Sequence, residues 1–197
     1  CALPILGVLM SYLNLASIRL CTESEGPGKR FALWVQGCEK KCLGCCNPGM
    51  QEFKKNIIVD TNDLIDLIQQ SMFENDIEGV SFIGGEPILQ AEGLSEISMW
   101  ANSVGLTVLV FTGYKLEELI GMNNSSINKL LKYTDLLIDG IFIQEKYDTD
   151  RDWIGSKNQK VHFLSSAYKP GVEYKNQEHK MELFISESDI LINGWPY

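Results

Sequence analysis

The sequence predicts an α/β fold, in the form of a partial (β/α) barrel whose mainly parallel strands are joined by helical crossovers. Short apolar runs rich in β-branched residues alternate along the chain with segments whose apolar residues recur at helical spacing. The loops rich in glycine and cysteine follow directly after predicted strands, and parallel α/β proteins place their functional groups at those strand ends. The chain has 197 residues, 45% of them hydrophobic, which is enough for one well-buried core.

In the first half of the chain, two strands, a helix and a third strand are predicted in that order. Residues 12–18 and 30–36 are apolar runs on either side of a loop rich in turn-forming residues. Cap-type residues precede leucines and isoleucines at helical spacing in 64–72, which predicts a helix. The apolar run 79–83 ends in a Gly-Gly-Glu-Pro turn and predicts the third strand.

In the second half, helical and strand patterns continue to alternate. The amphipathic stretch 94–101 predicts a helix, and the run 107–111 predicts a strand. Short helices are predicted at 116–120 and 127–131, before a strand at 136–139.

The tail contains two further apolar runs, 181–185 and 190–192, which predict a terminal hairpin or edge strands. The two histidines, His162 and His179, belong to no recognisable ligand motif, so we expect them to be structural or exposed.

We expect a single domain over residues 11–197, because the chain is too short for two ordinary domains. Residues 1–10 are apolar, but they have no basic leader or small-residue cleavage site, and Pro4 interrupts them. We therefore interpret them as a non-native or disordered leader, and neither as a signal peptide nor as a membrane span.

Charge and cysteine content exclude several classes of function. The net charge is −9 without a basic cluster, which argues against binding to nucleic acid or to an anionic membrane. Four of the six cysteines lie within residues 38–46, which is the spacing of a local ligand set rather than of a disulfide framework. We therefore expect a reducing, cytoplasmic location.

Three cysteines, Cys38, Cys42 and Cys45, have the spacing Cys-x3-Cys-x2-Cys. Three thiolates this close together can hold three irons of a four-iron cluster and leave the fourth iron open to another ligand, whereas clusters that only transfer electrons are normally closed by four cysteines. Gly44 would relieve crowding near the metal. The alternative is a structural zinc site with Cys46 as its fourth thiolate, but such sites usually draw on two separated ligand pairs, so we favour the cluster.

The Gly-Gly-Glu-Pro turn, Gly84 to Pro87, follows its strand as expected where bare backbone approaches a ligand. Together with the cysteines it resembles the radical S-adenosylmethionine (radical SAM) family. The resemblance extends to the small activases of anaerobic ribonucleotide reductase, whose landmarks occur here in the same order: FTGY at 111–114, LLIDGIF at 136–142, GSKNQ at 155–159 and INGWP at 192–196.

This resemblance implies a partial barrel of the radical SAM type with one [4Fe-4S] cluster and S-adenosylmethionine as cofactors. The amino and carboxylate groups of S-adenosylmethionine would chelate the open iron, and Gly84, Gly85 and Glu86 would help to hold its ammonium group. An electron from a donor such as flavodoxin or ferredoxin would cleave the cofactor. The resulting radical would take a hydrogen atom from a backbone glycine of a ribonucleotide-reductase-like partner.

The resemblance also gives a set of candidate site residues. The metal ligands are Cys38, Cys42 and Cys45, and the candidate cofactor-binding residues are Gly44, Cys46, Gly84, Gly85, Glu86, Pro87, Thr112 and Asp139. A further group would lie near the cofactor or the partner, or else form ordinary loop hydrogen bonds: Asp139, Gly140, Ser156, Asn158 and Gln159.

The chain departs from the family at two positions. Cys46 stands where an aromatic residue usually packs near the adenine, and Ile141 stands where proline is usual. Cys46 could be a packing residue, a redox-active thiol or a substitute contact for the adenine. For Cys46, as for Cys21, we favour packing, because buried free cysteine behaves as a small hydrophobic residue.

Two other functions remain open from the sequence: a small radical SAM enzyme that acts on a peptide or small molecule, and a non-catalytic zinc or iron–sulfur binding module.

Overall fold

The structure, a computed structural model, describes residues 11–174, 180–185 and 190–194. The predicted leader at 1–10, His179 and the last two residues of the INGWP motif lie outside the described residues. Within the described ranges, no helix is both long and apolar enough to cross a membrane.

Seven strands form the main sheet, in the order β3-β1-β2-β4-β5-β6-β7. Their bounds are Tyr12–Thr22 for β1, Arg30–Val35 for β2, Ile57–Asp60 for β3, Gly79–Gly84 for β4, Thr107–Phe111 for β5, Leu136–Asp139 for β6 and Lys160–Phe163 for β7. The predicted strands are all present, and β3 and β7 were not predicted.

The four central strands β2, β4, β5 and β6 are parallel, as predicted. The outer strands are antiparallel: β1 pairs with β2 and β3, and β7 pairs with β6. The sheet is therefore mixed, with a parallel centre, and closure into a partial barrel stays a prediction. A separate antiparallel hairpin, formed by β8 (Met181–Ile185) and β9 (Ile190–Gly194), confirms the predicted terminal hairpin.

The four predicted helices are present, each somewhat longer than its pattern indicated: α1 is Thr61–Asn75, α2 Ala91–Ser103, α3 Leu116–Gly121 and α4 Ser125–Lys132. The side chain of Asp60 caps α1 by accepting a hydrogen bond from the Asn62 N–H at 2.7 Å. Asn124 caps α4 in the same way.

The central strands are buried on both faces. On one face, residues such as Leu33 and Phe82 pack with α1, α2 and α4 in the large core. On the other, Trp34 and Ile83 form a smaller cluster against which Met50, from the loop after β2, packs. Burial on both faces explains why these strands are continuous apolar runs in the sequence.

Candidate functional site

Four loops meet at one edge of the sheet, because the parallel strands β2, β4, β5 and β6 all end there. We call residues 37–47 after β2 the cysteine loop and residues 84–87 after β4 the GGEP turn. The other two are 112–114 after β5 and 140–144 after β6. Motifs far apart in the sequence are thereby brought into contact.

The GGEP turn lies directly against the start of the cysteine loop. The Glu86 N–H donates to the Gly37 carbonyl oxygen at 2.9 Å, and the Gly85 N–H donates to that of Val35 at 2.8 Å. A Cβ atom on Gly85 would lie 2.3 Å from the Gly37 oxygen, and one on Gly84, whose φ is +101°, would lie 2.6 Å from the Val35 nitrogen. Both glycines are therefore needed for the approach of these two backbones.

Glu86 connects the GGEP turn to the loop after β5. Its side chain is buried, and it accepts hydrogen bonds from the Thr112 hydroxyl at 2.7 Å, the Gly113 N–H at 2.8 Å and the Ile88 N–H at 3.1 Å. Burial raises the pKa of Glu86, and these hydrogen bonds oppose that rise. The carboxylate braces two loops, and its direct contact with a cofactor ammonium stays a prediction.

Pro87 and Thr112, two other predicted site residues, are also buried. Pro87 begins a 3₁₀ turn, Pro87–Gln90, that the Glu86 side chain caps. The Thr112 hydroxyl donates to Glu86 and accepts from the Tyr114 N–H at 3.1 Å. Both residues therefore shape this edge of the sheet.

The cysteine loop also contacts the loop after β5. The Lys40 ammonium lies 3.2 Å from the centre of the Tyr114 ring, and the Tyr114 hydroxyl donates to the Glu39 carboxylate. A Cβ atom on Gly113 would lie 2.8 Å from Lys40 Cγ. Burial, and after it the hydrogen bond to Glu39, raise the pKa of Tyr114.

Gly44 joins the cysteine loop to the loop after β6. It adopts a left-handed conformation with φ +71°, and a Cβ atom there would lie 2.7 Å from Gln144 Oε1 and 3.4 Å from the Phe142 ring. The other side of that ring faces Gly155, where a Cβ atom would lie 2.9 Å from Phe142 Cδ2. The predicted role of Gly44, relief of crowding, applies here to protein neighbours.

The three predicted ligands differ in exposure. Cys38 is buried three residues after the end of β2, and its N–H donates to the Gln51 carbonyl oxygen at 3.0 Å. Burial raises the pKa of the Cys38 thiol. Cys42 and Cys45 are half-buried further along the loop.

Cys46 is exposed, so the prediction that it packs in the interior is wrong. A hydrogen bond from the Cys46 thiol is the main cause that lowers the pKa of Cys45 to about 6, and the Asn47 N–H adds to it from 3.4 Å. The same hydrogen bond raises the pKa of Cys46. Cys21, in contrast, packs against the large core as predicted.

The cysteines fit an iron–sulfur cluster by donor type, since all three are thiols on one short loop. Within the described part of the chain, no three Cys, His, Asp or Glu side chains are arranged to hold a metal ion. The left-handed residues Lys41, with φ 47°, and Gly44 reverse the chain between the cysteines. Binding a cluster therefore requires the three thiols to be rearranged.

Asp139 has a structural environment. It is buried, and its Oδ2 accepts from the Leu116 N–H at 2.8 Å and pairs with His162 Nε2 at 2.7 Å. It therefore links the first residue of α3 to β7 on the helix-covered face of the sheet, the face to which Leu137 also belongs. This also identifies His162 as structural, as predicted. A direct contact of Asp139 with a cofactor stays a prediction.

The GSKNQ segment forms ordinary loop hydrogen bonds, which was one of the two roles that the sequence left open for it. Three of them join it to the loop after β6: Ile143 N–H to Ser156 Oγ at 3.1 Å, Asn158 Nδ2 to the Ile141 oxygen at 2.8 Å, and Gln159 Nε2 to the Gly140 oxygen at 3.0 Å. The segment thus fixes the strand end that carries Asp139.

Sequence reasoning did not identify Glu39 and Lys40. Both lie in the spacer between the first two cysteines, where motif spacing carries no information on residue type. A basic residue beside an acidic one was the only available signal, and it commonly marks a solvated surface.

The chain is similar to a known protein family and to several named proteins. A family model described as "4Fe-4S single cluster domain" matches residues 24–162. A protein of Salmonella typhimurium named anaerobic ribonucleoside-triphosphate reductase-activating protein is 34% identical over 155 residues, which cover 71% of this chain and 92% of that protein. Proteins of the same name from Vibrio cholerae and phage T4 are 35% and 29% identical, over 70% and 76% of this chain and 90% and 93% of their own lengths.

Proposed function

The chain belongs to the family of anaerobic ribonucleoside-triphosphate reductase-activating proteins, and on that premise we propose that it is a radical SAM activase that generates a glycyl radical on such a reductase. The observation that carries the proposal is the contact of the cysteine loop with the GGEP turn, made by Glu86 N–H and the Gly37 carbonyl at 2.9 Å. A cluster-binding loop and a cofactor-binding turn must lie close together if one cofactor is to bridge them.

In this proposal, Cys38, Cys42 and Cys45 hold one [4Fe-4S] cluster. With a donor such as flavodoxin or ferredoxin, a cluster held there would supply the one-electron cleavage of S-adenosylmethionine that is needed to take a hydrogen atom from a glycine of the reductase. The enzyme works in the cytoplasm, where thiols stay reduced.

The residues of the chain bind and orient the substrates. The GGEP turn lines one side of the cofactor site with bare backbone at Gly84 and Gly85, where side chains would collide with the strand end beside them. Glu86 places a carboxylate just beneath this surface, and its negative charge favours the cationic ammonium and sulfonium groups of the cofactor. Thr112 holds that carboxylate in place through the 2.7 Å hydrogen bond from its hydroxyl.

Cysteine substitution tests this proposal. The protein is reconstituted anaerobically with iron and sulfide, reduced, mixed with S-adenosylmethionine and assayed for 5′-deoxyadenosine. Replacing any one of Cys38, Cys42 or Cys45 by serine should abolish the product. Cys21→Ser is the matched control, because this thiol packs against the large core outside the cysteine loop. A loop variant that still cleaves the cofactor would contradict the proposal.

Two further measurements separate the alternatives. Cys46→Ser should leave the iron content largely unchanged, whereas a four-thiolate zinc site would be destroyed by it. Addition of an anaerobic ribonucleotide reductase to the reconstituted enzyme should produce the electron paramagnetic resonance signal of a glycyl radical. Cofactor cleavage without that signal would favour a peptide or a small molecule as the substrate.

A further inference from the structure

A lysine, a glutamate and a tyrosine join the cysteine loop to the loop after β5. The Lys40 ammonium lies 3.2 Å from the Tyr114 ring centre, and the Tyr114 hydroxyl donates to Glu39. We call these three residues the clasp. The Lys40 side chain is only 19% exposed, so this cation–ring contact is largely shielded from water.

The clasp divides the cysteine loop into two parts. The first part is fixed, since Cys38 is buried against the sheet and Glu39 and Lys40 are bound to Tyr114. The second part, residues 41–46, is mostly exposed and carries the other two predicted ligands, Cys42 and Cys45. The ring of Tyr114 also packs against the large core, so the first part of the loop is attached to the core through this ring.

We propose that Tyr114 is a positioning residue for the cluster, which acts through Glu39 and Lys40 to hold the first part of the cysteine loop against the site. The proposal rests on the proposed function, because it assumes that the loop binds a cluster. The clasp holds Cys38 in place, so that only the second part of the loop has to close around the metal. It also places Lys40 beside Gly113, one residue from the Thr112 that holds Glu86.

Loss of the clasp should therefore weaken cluster retention more than it weakens the fold. The Tyr114 ring and hydroxyl make separate contacts, so they can be removed one at a time. Tyr114→Phe keeps the ring under Lys40 and loses the bond to Glu39, whereas Tyr114→Leu keeps apolar packing and loses both contacts. We expect iron loss to be accelerated several-fold in the first variant and about ten-fold or more in the second.

The chain supplies a matched control in a second lysine–tyrosine pair. The Lys132 ammonium lies 5.3 Å from the centre of the Tyr133 ring, at the end of α4. Tyr133→Leu removes the same kind of contact without touching the cysteine loop. Its rate of iron loss should equal that of the unchanged protein.

The experiment measures the rate at which the reconstituted protein releases iron to a chelator, together with the spectral change of the reduced cluster on addition of S-adenosylmethionine. Thermal melts of the cluster-free proteins separate cluster positioning from folding. The expected result is faster iron release and an altered spectrum for Tyr114→Leu, at a nearly unchanged melting temperature. Lys40→Met should show the same faster iron release and altered spectrum. If Tyr114→Leu fails to fold, Lys40→Met provides the test of the clasp.

Release rates for Tyr114→Leu and Lys40→Met equal to that of Tyr133→Leu would overturn this inference. Faster iron release accompanied by a marked fall in the melting temperature of the cluster-free variants would also overturn it, because the clasp would then be a general structural contact. If the unchanged protein never holds four irons, the proposed function fails instead, and the two failures are distinguishable.

Discussion

Replacement of Glu86 by alanine should greatly destabilise the protein even before any cofactor binds. The carboxylate accepts three hydrogen bonds, from the Thr112 hydroxyl and from the Gly113 and Ile88 N–H groups. Alanine leaves all of these donors without an acceptor, and Thr112 and Ile88 are buried. Each buried unpaired donor costs about 1–3 kcal/mol, so we expect the two buried donors to reduce the free energy of unfolding by about 2–6 kcal/mol. That is a large part of the ~5–15 kcal/mol typical of a folded domain.

Glu86→Gln gives a graded second measurement. Its side-chain oxygen can still accept from Thr112 and Ile88, while its NH₂ group would face the Gly113 N–H, a contact of two donors. We expect a smaller loss, of about 1–3 kcal/mol. The order of stability is therefore the unchanged protein first, glutamine second and alanine last.

The assay is anaerobic urea unfolding of the cluster-free protein, followed by circular dichroism. Glu145→Ala is the control, because Glu145 is an exposed glutamate on the loop region after β6, and its loss should change stability by less than about 0.5 kcal/mol. If Glu86→Ala unfolds with the same free energy as the control, the bracing role assigned to this carboxylate is wrong. Its importance would then have to come from a ligand.

Two other changes are expected to have defined effects. Gly85→Ala places a methyl group 2.3 Å from the Gly37 oxygen and should lower the free energy of unfolding by about 1–3 kcal/mol. Gly49→Ala is the control and should change it little, because no atom lies within 4 Å of the added methyl group. Equal urea midpoints for the two variants would contradict this prediction. Burial raises the pKa of Glu25 from 4.5 to about 8, so the folded state binds this proton more tightly and stability should fall as pH rises across that interval. Glu25→Gln should remove a few kcal/mol of the pH dependence of the free energy of unfolding over that interval. Parallel curves of stability against pH for the variant and the unchanged protein would contradict this prediction.

The strands that the sequence predicted best are those buried on both faces. Residues 107–111 and 136–139 are strands with the predicted bounds, because their apolar runs are continuous. The unpredicted β3 is a four-residue edge strand, and its residues Ile57 and Ile58 are 48% and 43% exposed. It pairs with β1 through its backbone, and side-chain patterns carry little information about such pairing.

The direction of β1 was also predictable in principle. Only residues 23–29 separate β1 from β2, whereas a parallel connection needs a crossover of about a dozen residues or more. The short loop therefore requires the antiparallel pairing that is observed. Arg30, at the start of β2, is a different case: its guanidinium is buried among acceptors as distant in sequence as Tyr168, and no local pattern indicates this.

For the site, the sequence predicted which loops meet but not what joins them. Cysteine spacing and the glycine pair depend on local geometry, so they are visible in the sequence. The partners that join Glu86 and Asp139 to other loops, such as Thr112 and Leu116, are more than twenty residues away along the chain, which is why motif matching assigned both carboxylates to the cofactor. In the structure, each is buried and receives N–H groups from a neighbouring loop.

A buried carboxylate that receives backbone N–H groups serves the shape of a site whether or not it also touches a ligand. Loss of activity on replacing Glu86 would therefore not distinguish a ligand contact from a brace, because a displaced Thr112 loop would remove activity too. The stability of the cluster-free protein does distinguish them. A residue that only binds the cofactor contributes nothing to the free energy of unfolding when the cofactor is absent. Stabilising substitutions elsewhere in the chain could restore the stability that Glu86→Ala loses. If the restored protein still failed to bind S-adenosylmethionine, Glu86 would be both a brace and a cofactor contact.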